Sequence, residues 1–118
     1  MDRRNFLRIA VDLPAELRLD DGERIVARVR DLSAAGVQIQ CDDLDTRILA
    51  PKGSCIDSQG RPIEVDLRFR WEGRNLKIRC RVVFVRRVSH DEYRIGMRFG
   101  DVYQEDVIEL EKLLARRH

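Results

Sequence analysis

The sequence predicts a mainly β domain, a six-stranded antiparallel barrel closed by one C-terminal helix. Three observations predict it. Six successive stretches alternate apolar and polar residues, turn signals separate them, and the last segment changes from a period of two to a helical period. Strict alternation buries one face of a strand and wets the other. Six such strands in a row suit a meander or Greek key closed into a small barrel.

The strands follow in order. Ala15, Leu17 and Leu19 alternate with Glu16 and Arg18, and Ile25, Ala27 and Val29 with Arg24, Arg28 and Arg30. Val37, Ile39 and Cys41 enclose Gln38 and Gln40. Ile63, Val65, Leu67 and Phe69 form the fourth set, Leu76, Ile78, Cys80 and Val82 the fifth, and Tyr93, Ile95, Met97 and Phe99 the sixth. Asp20-Asp21-Gly22 reads as a tight turn between the first two strands, and Glu72-Gly73-Arg74-Asn75 as the turn between the fourth and fifth. Residues 43–62 hold two glycines and two prolines without a sustained period, so they read as a long loop with a short strand around 54–56. In the last segment Tyr103, Val107, Leu110 and Leu114 fall on one helical face. Asp101 is the expected N-cap, with Gln104 three residues on. Acidic residues come early in this helix and basic ones late, which complements the helix dipole. Its apolar face is expected to pack on one end of the barrel; recruiting a partner helix is the alternative.

The 118 residues are read as one domain: an arginine-rich segment over 1–12, the barrel over 13–100 and the helix over 101–117. Hydrophobic residues make up 43% and charged residues 37%, a mixture that suits a compact domain with a highly charged surface. A net charge of +2 gives no strong global pull on nucleic acid. Cys41, Cys55 and Cys80 are odd in number and lack a short spacing. Cys41 and Cys80, in phase with apolar neighbours, read as buried thiols of a reducing compartment. The N-terminus has no long apolar run, and no stretch approaches the roughly 20 apolar residues of a membrane span. A cytoplasmic protein is expected. No nucleophile–base pattern, phosphate loop or histidine cluster is present, so neither an enzyme nor a metal site is expected. His90 and His118 read as solvated.

Two local features stand out from a plain barrel. Arg3-Arg4-Asn5-Phe6-Leu7-Arg8 precedes the first strand, and Asp31-Leu32-Ser33-Ala34-Ala35-Gly36 joins the second and third. Taken separately, the first reads as a solvated tail and the second as a turn with a glycine at positive φ. Together, in this order and spacing, they resemble the PilZ family, whose signature is RxxxR before the barrel and [DN]xSxxG after the second strand. Arg4 and Arg8 match the first motif; Asp31, Ser33 and Gly36 match the second. Arg94-Ile95-Gly96-Met97-Arg98-Phe99 looks like the family's closing strand. The 43–62 connection is longer than the family pattern suggests.

The resemblance implies a bacterial receptor for the second messenger cyclic di-GMP, and the side-chain chemistry agrees. The ligand carries two phosphodiesters and two flat guanines. Arginine pairs its planar fork with phosphate or guanine and stacks its face on a base. Asp31 can accept from guanine N–H groups, Ser33 can donate, and Gly36 permits close backbone approach. Phe84, where alternation breaks, is either a core residue or an aromatic at the ligand. By the same resemblance, an arginine directly before the motif, here Arg3, goes with a stacked pair of ligands, so two cyclic di-GMP molecules per chain are expected. With no second domain, the output is expected through an unidentified protein effector or a neighbouring chain of the same kind. The tail of residues 1–8 is expected to be mobile until ligand cross-links its arginines to Asp31, Ser33 and Gly36. The alternatives are a PilZ-like scaffold without ligand, or a small basic nucleic-acid-binding barrel. Intact motifs disfavour the scaffold. In-phase Phe69, Tyr93 and Phe99 disfavour the nucleic-acid barrel, which would expose aromatics.

Overall fold

A computed structural model describes residues 8–100 and 102–117. The strands are β1 (Ile9–Arg18), β2 (Arg24–Leu32), β3 (Gly36–Cys41), β4 (Glu64–Trp71), β5 (Arg74–Ser89) and β6 (Glu92–Phe99). Helix α1 (Asp43–Leu49) follows β3, and α2 (Glu105–Ala115) ends the chain. The strands close into an antiparallel barrel in the order β1-β2-β3-β6-β5-β4, with β4 returning to β1. The alternation read from the sequence is the alternation of burial. Leu17, Val29, Ile39, Val65, Leu67, Ile78 and Ile95 point inward at 0% exposure. Burying such side chains is worth about 1.5–3 kcal/mol each and holds the cylinder closed.

The turns follow their glycines. Gly22 donates its N–H to the Leu19 carbonyl at 3.0 Å and sits at φ 93°, which closes the β1–β2 hairpin and leaves Leu19 outside β1. The β4–β5 turn is tighter than the four residues expected. Trp71 pairs with Arg74, so only Glu72 and Gly73 turn, both at positive φ, while Arg74 and Asn75 begin β5.

Several expected boundaries move. β1 begins at Ile9, so residues 9–12 belong to the barrel and not to the tail. The 43–62 loop contains helix α1. Its N-cap Asp42 accepts from the Asp45 N–H at 2.8 Å, and Thr46 and Leu49 are buried. The expected short strand is reduced to one bridge, Ile56 to Pro62. Helix α2 starts at Glu105, later than expected, and Gln104 is its N-cap without a side-chain capping bond. Asp101, the expected N-cap, lies outside the described residues, as do Arg3, Arg4 and His118. Tyr103 precedes the helix and is 77% exposed, so the buried face is Leu110, Leu113 and Leu114.

Side chains at the start of α2 explain its docking. Along β5, pairing with β6 begins only at Cys80, so the earlier backbone groups on that side need partners. Asp106 accepts from the Lys77 N–H at 2.7 Å. The Gln104 amide accepts from the Arg79 N–H at 2.7 Å and donates to the Arg79 carbonyl at 3.1 Å. Packing of α2 on the barrel is therefore the arrangement realised. Leu110→Ala should destabilise the domain by about 2–5 kcal/mol in denaturant unfolding, since its side chain is fully buried. A change under about 0.5 kcal/mol, the range of surface substitutions, would contradict this docking.

Cys41 and Cys80 are buried thiols and Cys55 is half-buried, with no disulfide among them. Burial pushes the Cys41 and Cys80 thiols up to about 12, so both stay protonated. No helix among the described residues is long and apolar enough to cross a membrane.

Candidate binding site on the barrel face

Two β-bulges build the site. In β2, Ile25, Ala27 and Val29 point inward, and unbroken alternation would send Asp31 into the core. A bulge between Val29 and Asp31 turns the carboxylate outward and brings Leu32 inward at 0% exposure. In β5, Val82 points inward opposite Met97, and a bulge at Val83 does the same for Phe84. Phe84 therefore lies half-buried on the outer face, opposite Gly96, while Val85 faces Ile95 inside. The core reading of Phe84 does not hold. A Cβ at Gly96 would stand 2.1 Å from the Phe84 ring, so this glycine is what lets the ring lie flat across the ladder.

The resulting register is Asp31–Gln38–Gly96–Phe84 across four strands. Arg8 reaches this row from the entrance of β1, with its Nη2 3.4 Å from Asp31 Oδ1. That contact is an ion pair without hydrogen-bond alignment. Asp31 Oδ1 is shielded from solvent and has no hydrogen-bond partner among the described residues, although the side chain is 26% exposed. An unsatisfied buried acceptor is costly and points to a donor that arrives from outside.

The 33–36 turn fixes this end of β2. Ser33 is buried, accepts from the N–H groups of Ala35 and Gly36, and donates to the Gly36 carbonyl, each at 3.2 Å. Its hydroxyl shapes the turn here. Gly36 is not at positive φ, contrary to the simple turn reading. It is glycine because a Cβ would stand 2.1 Å from the Met97 carbonyl oxygen. Arg8, Ser33, Gly36, Gln38, Phe84, Gly96 and Arg98 line a cleft of about 130 Å³. Of the sequence candidates, the structure brings together Arg8, Asp31, Ser33, Gly36 and Phe84. Arg3 and Arg4 lie outside the described residues.

Sequence reasoning missed Gln38, Gly96 and Arg98. Gly96 carried a signal, a glycine inside a strand pattern. Along the next row, Arg28, Gln40, Arg94 and Arg86 lie side by side. Arg28 donates to Asp12 at 2.6 Å, and that hydrogen bond holds the Asp12 carboxyl below its usual range. Arg86 sits 5.5 Å over the Phe84 ring.

The fold agrees with comparison to known proteins. The sequence matches the PilZ domain family over residues 2–116. The chain belongs to the PilZ family. No match is found among curated proteins. Bacillus subtilis MotI/DgrA superposes with a TM-score of 0.70 at 16% identity, over 99% of this chain and 52% of that one. The K. pneumonia MrkH–c-di-GMP complex gives 0.68 at 19% identity, over 99% and 53%. The PilZ domain of Escherichia coli YcgR with c-di-GMP gives 0.64 at 12% identity, over 98% and 91%. At these identities the likeness is one of fold. The chain spans about half the length of MotI/DgrA and MrkH. PilZ domains are receptor or adaptor domains.

Proposed function

We propose that this PilZ domain is a receptor for cyclic di-GMP. The observation that carries the reading is Asp31 Oδ1, turned outward by a bulge, shielded from solvent and without a hydrogen bond among the described residues, beside Arg8. Guanine N–H groups are donors that satisfy such an acceptor. Arg8 is then free to turn its fork onto a phosphodiester or onto guanine N7 and O6. Phe84 on Gly96 offers an aromatic face at the far end of the same row. MrkH and YcgR, which share this fold, have structures with cyclic di-GMP, and their likeness supports the same ligand here.

The finer reading is that two ligand molecules bind per chain, with Arg3 and Arg4 joining Arg8 on the phosphates. The ligand then ties the segment before β1 to the 31–36 turn. The surface formed by segment, ligand and barrel is what a protein effector recognises, so the ligand acts by differential binding to two states. Amide hydrogen exchange tests this. With cyclic di-GMP, amides of residues 4–8 and 31–36 should gain protection, while Ile78 and Ile95 in the barrel wall change little. Ile9 and Ala10 pair with β2 and are not expected to report the event. Protection of residues 4–8 that is the same with and without ligand would contradict the ordering mechanism.

A further inference from the structure

We propose that the outer face of the β4–β5 hairpin, with the flank of α2 beside it, is a docking surface for an acidic segment of a partner protein. Alternation puts Arg68 and Arg70 on the outer face of β4, and Lys77 stands directly opposite Arg68 on β5. Like charges opposite one another in a ladder are destabilising, so the stability of the barrel does not call for Lys77 at that place. Among the described residues, none of these three cations has a carboxylate at ion-pair distance. The neighbouring acids are engaged elsewhere: Glu16 with Arg24 at 3.7 Å, Asp66 with Arg79 at 3.4 Å, and Glu109 with Arg74 at 3.4 Å. Arg70 donates to the neutral Asn75 side chain at 3.2 Å. A cleft of about 530 Å³ runs along these cations, and a second of about 620 Å³ lies between the start of β5 and α2. The two meet at Asn75 and Leu76, which line both. On its helix side the second cleft is lined by Tyr103 and Ile108, both exposed. An aromatic anchor with charged residues at the rim is the make-up of a protein interface.

Charge and spacing set the partner. Arg68 and Arg70 are two residues apart on β4, about 7 Å at strand spacing, which matches carboxylates two residues apart in an extended segment. Such a segment lays acidic side chains on Arg68, Arg70 and Lys77 and an apolar one between Tyr103 and Ile108. Three cations are too few for nucleic acid, whose binders commonly make about six to ten phosphate contacts. The outward residues of β4, Glu64, Asp66, Arg68 and Arg70, also include no aromatic on which a base would stack. Residues 1–7 of this chain carry two arginines and one aspartate, so they do not supply the acidic segment. The surface lies on β4, the first half of β5 and α2, whereas the motif residues and Phe84 lie on other strands or on the second half of β5. The inference therefore goes beyond the receptor reading and holds with or without cyclic di-GMP.

Amide NMR of the full chain tests the surface with two synthetic octapeptides of glutamate, one with a central leucine and one with serine in its place. The leucine peptide should shift the amides of Arg68, Arg70, Lys77, Tyr103 and Ile108, saturably and less as salt rises. The serine peptide should bind about tenfold more weakly, having lost the apolar contact. Arg68→Gln with Lys77→Gln should weaken the leucine peptide about fivefold without lowering the thermal unfolding midpoint. Tyr103→Ala should weaken it about tenfold. Octathymidylate binding the same amides as tightly would make this a nucleic-acid face. Shifts that grow with protein concentration alone would make it a contact between copies, and equal peptide shifts at Arg81 and Arg98 would reduce it to general positive charge. Each of these outcomes overturns the proposal, as does the absence of saturable shifts at about 1 mM leucine peptide. Cyclic di-GMP binding without any peptide shift would remove this surface and leave the receptor reading standing.

Discussion

Arg8→Ala should weaken cyclic di-GMP binding about 30-fold, a loss of about 2 kcal/mol, while leaving the barrel folded. The size follows from what is removed. Arg8 supplies a charge-assisted contact to phosphate or guanine and balances Asp31, whose Oδ1 is shielded and has no other partner among the described residues. Survival of the fold follows from position. The Arg8 side chain is 54% exposed and lies just ahead of β1, outside the core. Arg4→Ala is expected to act in the same direction through the same motif. Isothermal titration calorimetry reads both, with circular dichroism as the control for folding. Binding by both variants at the strength of the unmodified chain would remove these arginines from the site.

Gly36→Ala should cost about 3 kcal/mol and lower the unfolding temperature by about 10 °C, an unusually large effect for one added methyl group. The new Cβ would meet the Met97 carbonyl oxygen at 2.1 Å, and backbone cannot swing away as a side-chain end can. To fit, β3 must separate from β6 where Gly36 pairs with Arg98, which also displaces the 33–36 turn. Ligand affinity should therefore fall together with stability. Gly22→Ala is the informative control. Its Cβ meets nothing within 4 Å, and the cost there is only that of a positive φ, about 1 kcal/mol. Equal melting temperatures for the two variants would show that conformation, not close approach, dictates glycine at position 36.

Strand number and inward faces were legible because a barrel wall turns burial into a period of two. The same logic concealed the site, because its residues stand where the period breaks. Asp31 and Phe84 face outward only through bulges, and a bulge shows in sequence merely as a lapse in alternation. The pairing of Arg98 with Arg81 was not legible. It depends on the β5–β6 register, which the Val83 bulge shifts by one residue. Helix α1 escaped because seven residues with two inward-facing side chains give too short a pattern to compete with the surrounding glycines and prolines. Its signal was the run of aspartates, with Asp42 as cap and Asp43 and Asp45 in the first turn. The start of α2 was misplaced for a related reason. Gln104 spends its side chain on the β5 backbone, a tertiary contact that no local pattern announces.

The most direct test of the receptor reading is a calorimetric titration of the unmodified chain with cyclic di-GMP. The arrangement of Arg8, Asp31, Gly36 and Phe84 predicts saturable binding at micromolar or tighter affinity, about −8 kcal/mol or better, and Arg3 before the first motif predicts two molecules per chain. Saturation at one molecule would leave the receptor reading intact and remove the second site. The absence of saturable binding at ligand concentrations of about 1 mM would contradict the central claim and leave a PilZ barrel that serves as a scaffold.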